Sequence, residues 1–148
     1  MGAVTYPNIA VAAILNQAFV PVQVNLDQVP KLADQYQVIW TPNINILNHR
    51  GQMACHVEGW LSPSEFSAWL TLGQGHYSLH RKDYETAVAH FQRTFDHFPQ
   101  SEWAPEALYY VAVGKYLAGH EAEQLVQGWE RLRRYYPQSS WSMRANVP

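Results

Sequence analysis

His76 and His80 stand four residues apart in a helically patterned stretch, the spacing at which two imidazoles on one helix face can share a zinc ion. The rest of a metal site is missing. No glutamate follows the first histidine as it would in His-Glu-x-x-His, and no third ligand lies near in sequence. His90 and His97 on the next helical segment could approach, but exposed polar positions account for all four histidines, so no metal is expected. The single cysteine, Cys55, falls in a segment of strand-like alternation, where a thiol pointing into a sheet is a small inert hydrophobe. One cysteine closes no intrachain disulfide and builds no cysteine-rich zinc site. Serine-nucleophile, P-loop, Rossmann and EF-hand patterns are missing. Gly73-Gln74-Gly75 lacks the preceding strand and the further glycine of a phosphate loop. No complete active site is spelled out, and no cofactor is expected.

The residues left with a possible binding role are Trp40, Thr41 and Pro42. They stand at the entrance of a β-hairpin. Asn43 to Leu47 alternates polar and apolar, His49-Arg50-Gly51-Gln52 supplies a turn, and Met53 to Val57 resumes the alternation. Proline is tolerated at the start of such a strand when its missing N–H is not needed in the ladder, and a cis X–Pro bond is one way to arrange that. Upstream, Ile9, Val11, Ala12, Ile14, Leu15 and Ala18 recur at helical spacing over about ten residues. Phe19 to Asn25 is rich in β-branched residues and reads as a parallel strand with an early proline. Val29 to Tyr36 reads as a short helix.

In order and spacing, roughly residues 4 to 72 resemble the second half of a thioredoxin-like domain. The resemblance implies an α/β unit over residues 1–73 in which Thr41-Pro42 matches the cis-proline loop. In that family the loop faces the redox motif and offers backbone to an extended peptide, so Trp40, Thr41 and Pro42 become the implied peptide-binding residues; Trp40 also suits a core position. A thioredoxin-like enzyme requires Cys-x-x-Cys at a helix N-terminus, where the helix dipole and the paired thiol lower the nucleophile's pKa. That motif is not in this sequence, nor is the strand the family places between Phe19–Asn25 and Asn43–Leu47. Two apolar strand edges are therefore expected to be unpaired, which invites pairing with another chain, a homodimer included.

Downstream, Ser62, Pro63 and Glu65 carry the signals of a helix start: an N-cap, a proline at the first helical position and a capping-box glutamate. Phe66, Trp69, Leu70 and Leu72 continue its apolar face. Gly73-Gln74-Gly75 reads either as a hinge between halves or as a glycine pair at a close helix crossing. Beyond it the chain repeats: Phe98-Pro99-Gln100-Ser101-Glu102-Trp103 aligns with Tyr136-Pro137-Gln138-Ser139-Ser140-Trp141 at a period of 38 residues. Gly75, Tyr84, Ala87, Phe91 and Pro99 fall where a tetratricopeptide repeat has its small residue, aromatic, alanine, aromatic and terminal proline. Gly114, Leu125, Trp129, Leu132 and Pro137 take the matching parts, although Leu125 replaces the alanine and the unit exceeds the usual roughly 34 residues. Residues 74–148 thus resemble a TPR-like antiparallel helix array. Its third unit breaks off at Pro148. About three stacked repeats are usually needed for stability, so the helix after Ser64 is the expected neighbour, and the far face around Trp129, Trp141 and Met143 is expected to be open as a contact surface or closed as a core edge.

Composition narrows the partners. A net charge of −2 with 47% hydrophobic residues suits a packed core and leaves no basic footprint for nucleic acid. Arg131, Arg133 and Arg134 are expected as the solvated end of a helix. No apolar run approaches eighteen residues and no signal-peptide pattern opens the chain, so no membrane association is expected and the cytoplasm is the expected compartment. The fold class expected is α/β plus all-α, and the function that of a non-catalytic module for a protein or peptide partner. The alternative expectation is a piece of a thiol-disulfide oxidoreductase whose Cys-x-x-Cys lies upstream of Met1.

Overall fold

Asn8 opens the first helix, α1 (Ile9–Ala18), by accepting hydrogen bonds from the backbone N–H groups of Ala10 and Val11. That satisfies two of the four donors a helix start leaves without partners. Val11 is fully buried, and Ile14, Leu15 and Phe19 pack beside it. The computed structural model describes residues 1–146 of the 148, and among them α1 is followed by α2 (Pro30–Gln35), β1 (Asn43–Leu47), β2 (Met53–Glu58), α3 (Pro63–His80), α4 (Tyr84–His97), α5 (Ala104–Gly119), α6 (Ala122–Tyr135) and α7 (Ser140–Arg144). The chain is mixed: seven helices and one two-stranded antiparallel sheet among the described residues.

The strand expected over Phe19–Asn25 does not form. Those residues take no regular secondary structure and pair with no strand, and Val20, Val22 and Val24 are all exposed. A strand exists only by its ladder, and the sheet contains one hairpin with no strand beside it to receive this segment. Pro21 removes one donor more. The hairpin itself takes the expected place. Asn43 pairs with Glu58, Ile44 with Val57, Asn45 with His56 and Ile46 with Cys55, before a bulge shifts Leu47 onto Met53. Gly51 holds the turn at φ 75, in the left-handed region, and the Tyr36 hydroxyl donates to its carbonyl.

Ser62 caps α3 by accepting from the Glu65 N–H, with Pro63 at the first position. The reciprocal half of the capping box is absent. Glu65 instead turns its carboxylate across to the α4–α5 loop, where it accepts from the Ser101 hydroxyl at 2.7 Å and from the Glu102 N–H at 3.3 Å. Eleven of the eighteen α3 residues are buried, so the helix is covered on nearly every side rather than along one stripe. Its first half packs with α1 and the hairpin around Val11, Ile46, Leu61, Phe66, Trp69 and Leu70. The second half meets α4 and α5 around Leu72, Ala87, Phe91, Ala107 and Val111.

Of the two readings of Gly73-Gln74-Gly75, the helix crossing is the one observed, for α3 runs through it unbroken. A Cβ at Gly73 would collide with Ile46 and sit 3.1 Å from the Cys55 sulfur, and one at Gly75 would lie 2.6 Å from the Phe91 ring. One glycine admits the sheet and the other admits α4. In the next pair the small residues are placed differently: Gly114 faces Val88 of α4, and it is Gly128 of α6 that lies against Ala112 of α5. A third core, Phe95, Leu108, Leu132 and Ala145, closes the end of the array. Tyr136 binds the two repeated Pro-Gln-Ser segments together by donating from its hydroxyl to the Pro99 carbonyl at 2.6 Å.

The close approach at Gly75 leads to opposite outcomes for one kind of exchange. Alanine in a helix interior gains about 1 kcal/mol over glycine, whereas forcing an atom into a packed core costs about 1–3 kcal/mol. Gly75→Ala is therefore expected to lower the urea midpoint, and Gly119→Ala, whose added carbon meets nothing closer than 3.9 Å, to leave it unchanged or raise it.

Candidate functional site

The hairpin is a two-stranded sheet, so each strand has an outer edge with no strand beside it among the described residues, and the edge of β1 is the one that Trp40, Thr41 and Pro42 lead into. Pro42 accepts from the Gly59 N–H at one end of β1 and Asn48 donates to the Gln52 carbonyl at the other. In an antiparallel ladder the residues facing the partner strand alternate, so Asn43, Asn45 and Leu47 direct their backbone N–H and C=O groups to the open edge. Among the described residues no strand meets them. Ile44 and Ile46, on the alternate positions, are fixed against the α3 core, which sets the edge on a rigid support.

Trp40, Thr41 and Pro42 lead directly into that edge, and the Thr41–Pro42 peptide is cis. Trp40 is 70% exposed and Ile39 beside it 89%, so Trp40 is not the core aromatic its composition also allowed. On the face away from α3 the Asn43 amide donates to Glu58 at 2.9 Å and the Asn45 amide donates to Asn43 Oδ1 at 2.7 Å. Asn45 Oδ1 ends this chain as a buried acceptor without a donor. The arrangement offers main-chain hydrogen-bonding groups along β1 and the exposed apolar side chains of Ile39 and Trp40 beside them. Main-chain groups of this kind can receive an extended segment by strand addition.

The other sequence candidates are dispersed. His76 is buried, its Nε2 at 2.8 Å from Glu106 Oε1 of α5, and its ring packs edge-on against Phe91 and Tyr110. His80 and His97 are exposed, while His90 is half-buried with Nδ1 lacking a partner. Burial, then the neighbouring Arg93, pulls the His90 imidazole below its usual range, with Asp83 working the other way. Among the described residues no three His, Cys, Asp or Glu side chains gather for a metal ion. Cys55 lies under Gly73, and burial, with the Glu106 carboxylate adding to it, pushes its thiol up to about 12.

At the far end of the array Trp129 and Trp141 are half-buried around Tyr109, with centroids 5.1 Å away in both cases, and only Met143 stands out at 70% exposure. Arg144 lies over the Trp141 ring at 4.4 Å. This end combines both expectations, a closed aromatic edge with one protruding methionine. The arginine trio differs from a solvated helix end. Arg131 sits over Phe95 at 4.9 Å and Arg133 donates to the Ala145 carbonyl at 2.6 Å, leaving Arg134 exposed.

Sequence reasoning missed Asn45, Ile39 and Glu106. For Asn45 the signal was present, since a polar residue alternating with Ile44 and Ile46 must lie on the face opposite the core. Glu106 carried none, because its partner lies 30 residues away on another helix. Compared with known proteins, the chain matches no family model, no curated protein and no solved structure. No helix among the described residues is long and apolar enough to cross a membrane.

With its thiol near 12, Cys55 holds almost no thiolate at neutral pH. Native protein is expected to resist iodoacetamide at pH 7.5 and to be alkylated quickly once unfolded in urea, as read by mass spectrometry. Rapid labelling of native protein would contradict the burial described.

Proposed function

We propose that the chain is a non-catalytic protein-interaction module, in which a thioredoxin-like frame presents the β1 edge and a TPR-like pair of helical hairpins braces it. Support for the frame comes from the order helix, extended segment, helix, Thr-Pro, hairpin, helix. Support for the array comes from α3–α4 and α5–α6 standing as successive helical hairpins with α7 opening a further unit. The observation that carries the binding role is the unpaired β1 edge, Asn43, Asn45 and Leu47, with exposed Ile39 and Trp40 alongside.

On this reading the partner is a peptide segment in extended conformation. It adds a strand to β1, its main chain meets the free groups of Asn43, Asn45 and Leu47, and an apolar side chain rests on Trp40. Strand addition gives affinity through the main chain and leaves specificity to the few side chains that land beside Trp40. The Cys55 thiol takes no part.

A proline at position 45 removes an N–H aimed at the open edge and sets its ring against an incoming strand, while the contacts of β1 with β2 keep their donors. Peptides selected from a random twelve-residue library against the wild-type chain are expected to shift backbone amide signals over residues 39–47. Binding should fall at least tenfold on Asn45→Pro and be weakened by Trp40→Ala, with the circular dichroism of both variants unchanged. Selected peptides that shift only α5–α7 signals, or bind Asn45→Pro as well as wild type, would overturn the proposal.

A further inference from the structure

Residues of α1, α3 and α4, with Phe98 just past α4, line an open cleft of about 430 Å3. Its volume lies in the roughly 300–1,000 Å3 range of small-molecule sites. Ile14 and Ala18 of α1 form one apolar wall, and Phe98, just past α4, forms the other. Polar residues line the cleft as well: Gln17 from α1, Gln74 from α3 and Arg93 from α4.

The polarity of this lining is one-sided. No Asp or Glu lines the cleft, and Arg93 makes no ion pair among the described residues. The two side-chain amides can each turn an NH2 inward; that of Gln74 is engaged only by a long 3.4 Å bond to the Leu70 carbonyl. Thr71, buried at the floor, donates its hydroxyl to the Ser67 carbonyl and keeps its lone pairs for another donor. His97 also borders the cleft in the last turn of α4. Arg93, one turn earlier, is exposed at the mouth of the cleft and has no carboxylate partner among the described residues.

We infer that this cleft binds a small organic monocarboxylate, with the carboxylate on the Arg93 guanidinium and the Gln17 and Gln74 amides and a short apolar chain between Ile14, Ala18 and Phe98. A guanidinium fork suits a carboxylate in bidentate geometry. The same chemistry, an apolar group next to a carboxylate, also occurs at the C-terminus of a peptide ending in an aliphatic residue. The site is separate from the β1 edge and does not depend on it.

Hexanoate is the probe, with hexan-1-ol as its uncharged counterpart, followed through side-chain amide and backbone signals of 15N-labelled protein. Hexanoate is expected to shift Gln17, Gln74 and Arg93 saturably at millimolar concentration and hexanol not to. A hydrogen bond to a charged group implies a loss of about tenfold or more on Arg93→Gln, and Ala18→Trp should block the cleft while leaving Arg93 in place. Both positions are exposed, so the folds should survive. N-acetyl-leucine and its amide distinguish the sources: tighter binding of N-acetyl-leucine than of hexanoate at the same signals assigns the site to a peptide terminus, the reverse assigns it to a free acid, and either upholds the inference. Equal shifts with hexanol, an undiminished response in Arg93→Gln, or no saturable shift at Gln17 and Gln74 would refute it.

Discussion

A single helix has to serve two cores at once, and the rest of the molecule follows from how α3 manages it. A helix buried on nearly all sides cannot carry large side chains everywhere, because its neighbours must come close enough to exclude water. Gly73 and Gly75 resolve the conflict two residues apart. Where the first lacks a side chain, Ile46 and Cys55 of the hairpin descend onto the helix; where the second does, the Phe91 ring of α4 enters. The hairpin and the helical array are thereby held by the same rod. The position of the β1 edge relative to α4 and α5 is set by packing rather than by a linker.

Polar contacts fasten the same junction. Glu65 and Ser101 are 36 residues apart, yet their hydrogen bond closes the start of α3 onto the loop that launches α5. The His76–Glu106 pair does the same for the other end of α3. Each brings a helix carboxylate against a polar group from a distant part of the chain, and each is partly screened from water, where a charge-assisted bond is worth more than at the surface. A hairpin of two strands is marginal by itself in water. Here its apolar face rests on a helix anchored from both ends, which allows its outer edges to remain without a partner strand among the described residues.

Sequence made the locally determined parts legible. The ten-residue α1, the hairpin with Gly51 in its turn and the Ser62-Pro63 start of α3 each depend on neighbours within a few positions, so periodicity and capping chemistry suffice to place them. Phe19–Asn25 failed because a strand is defined by its partner, and a β-branched run without one remains an irregular, largely exposed segment. Glu65 was legible as a first-turn acid but not as a clasp, since the repeated Ser101 and Ser139 look alike in sequence while only Ser101 meets it. In the second, Ser139 turns to cap its own helix at the Ser142 N–H. Trp40 and the asparagines of β1 lay between these cases: their place in the pattern was readable, their exposure was not.

Native-state hydrogen exchange across a urea series tests the shared helix most directly. If α3 joins both cores, the slowest amides of β2, of Phe66 to His76 and of α4 and α5 converge on one unfolding free energy with one denaturant slope. Convergence of the hairpin and Phe66–Leu72 on a lower free energy, while His76–His80, α4 and α5 keep their own higher one, would mean that α3 parts at its glycines and that the two cores are separate.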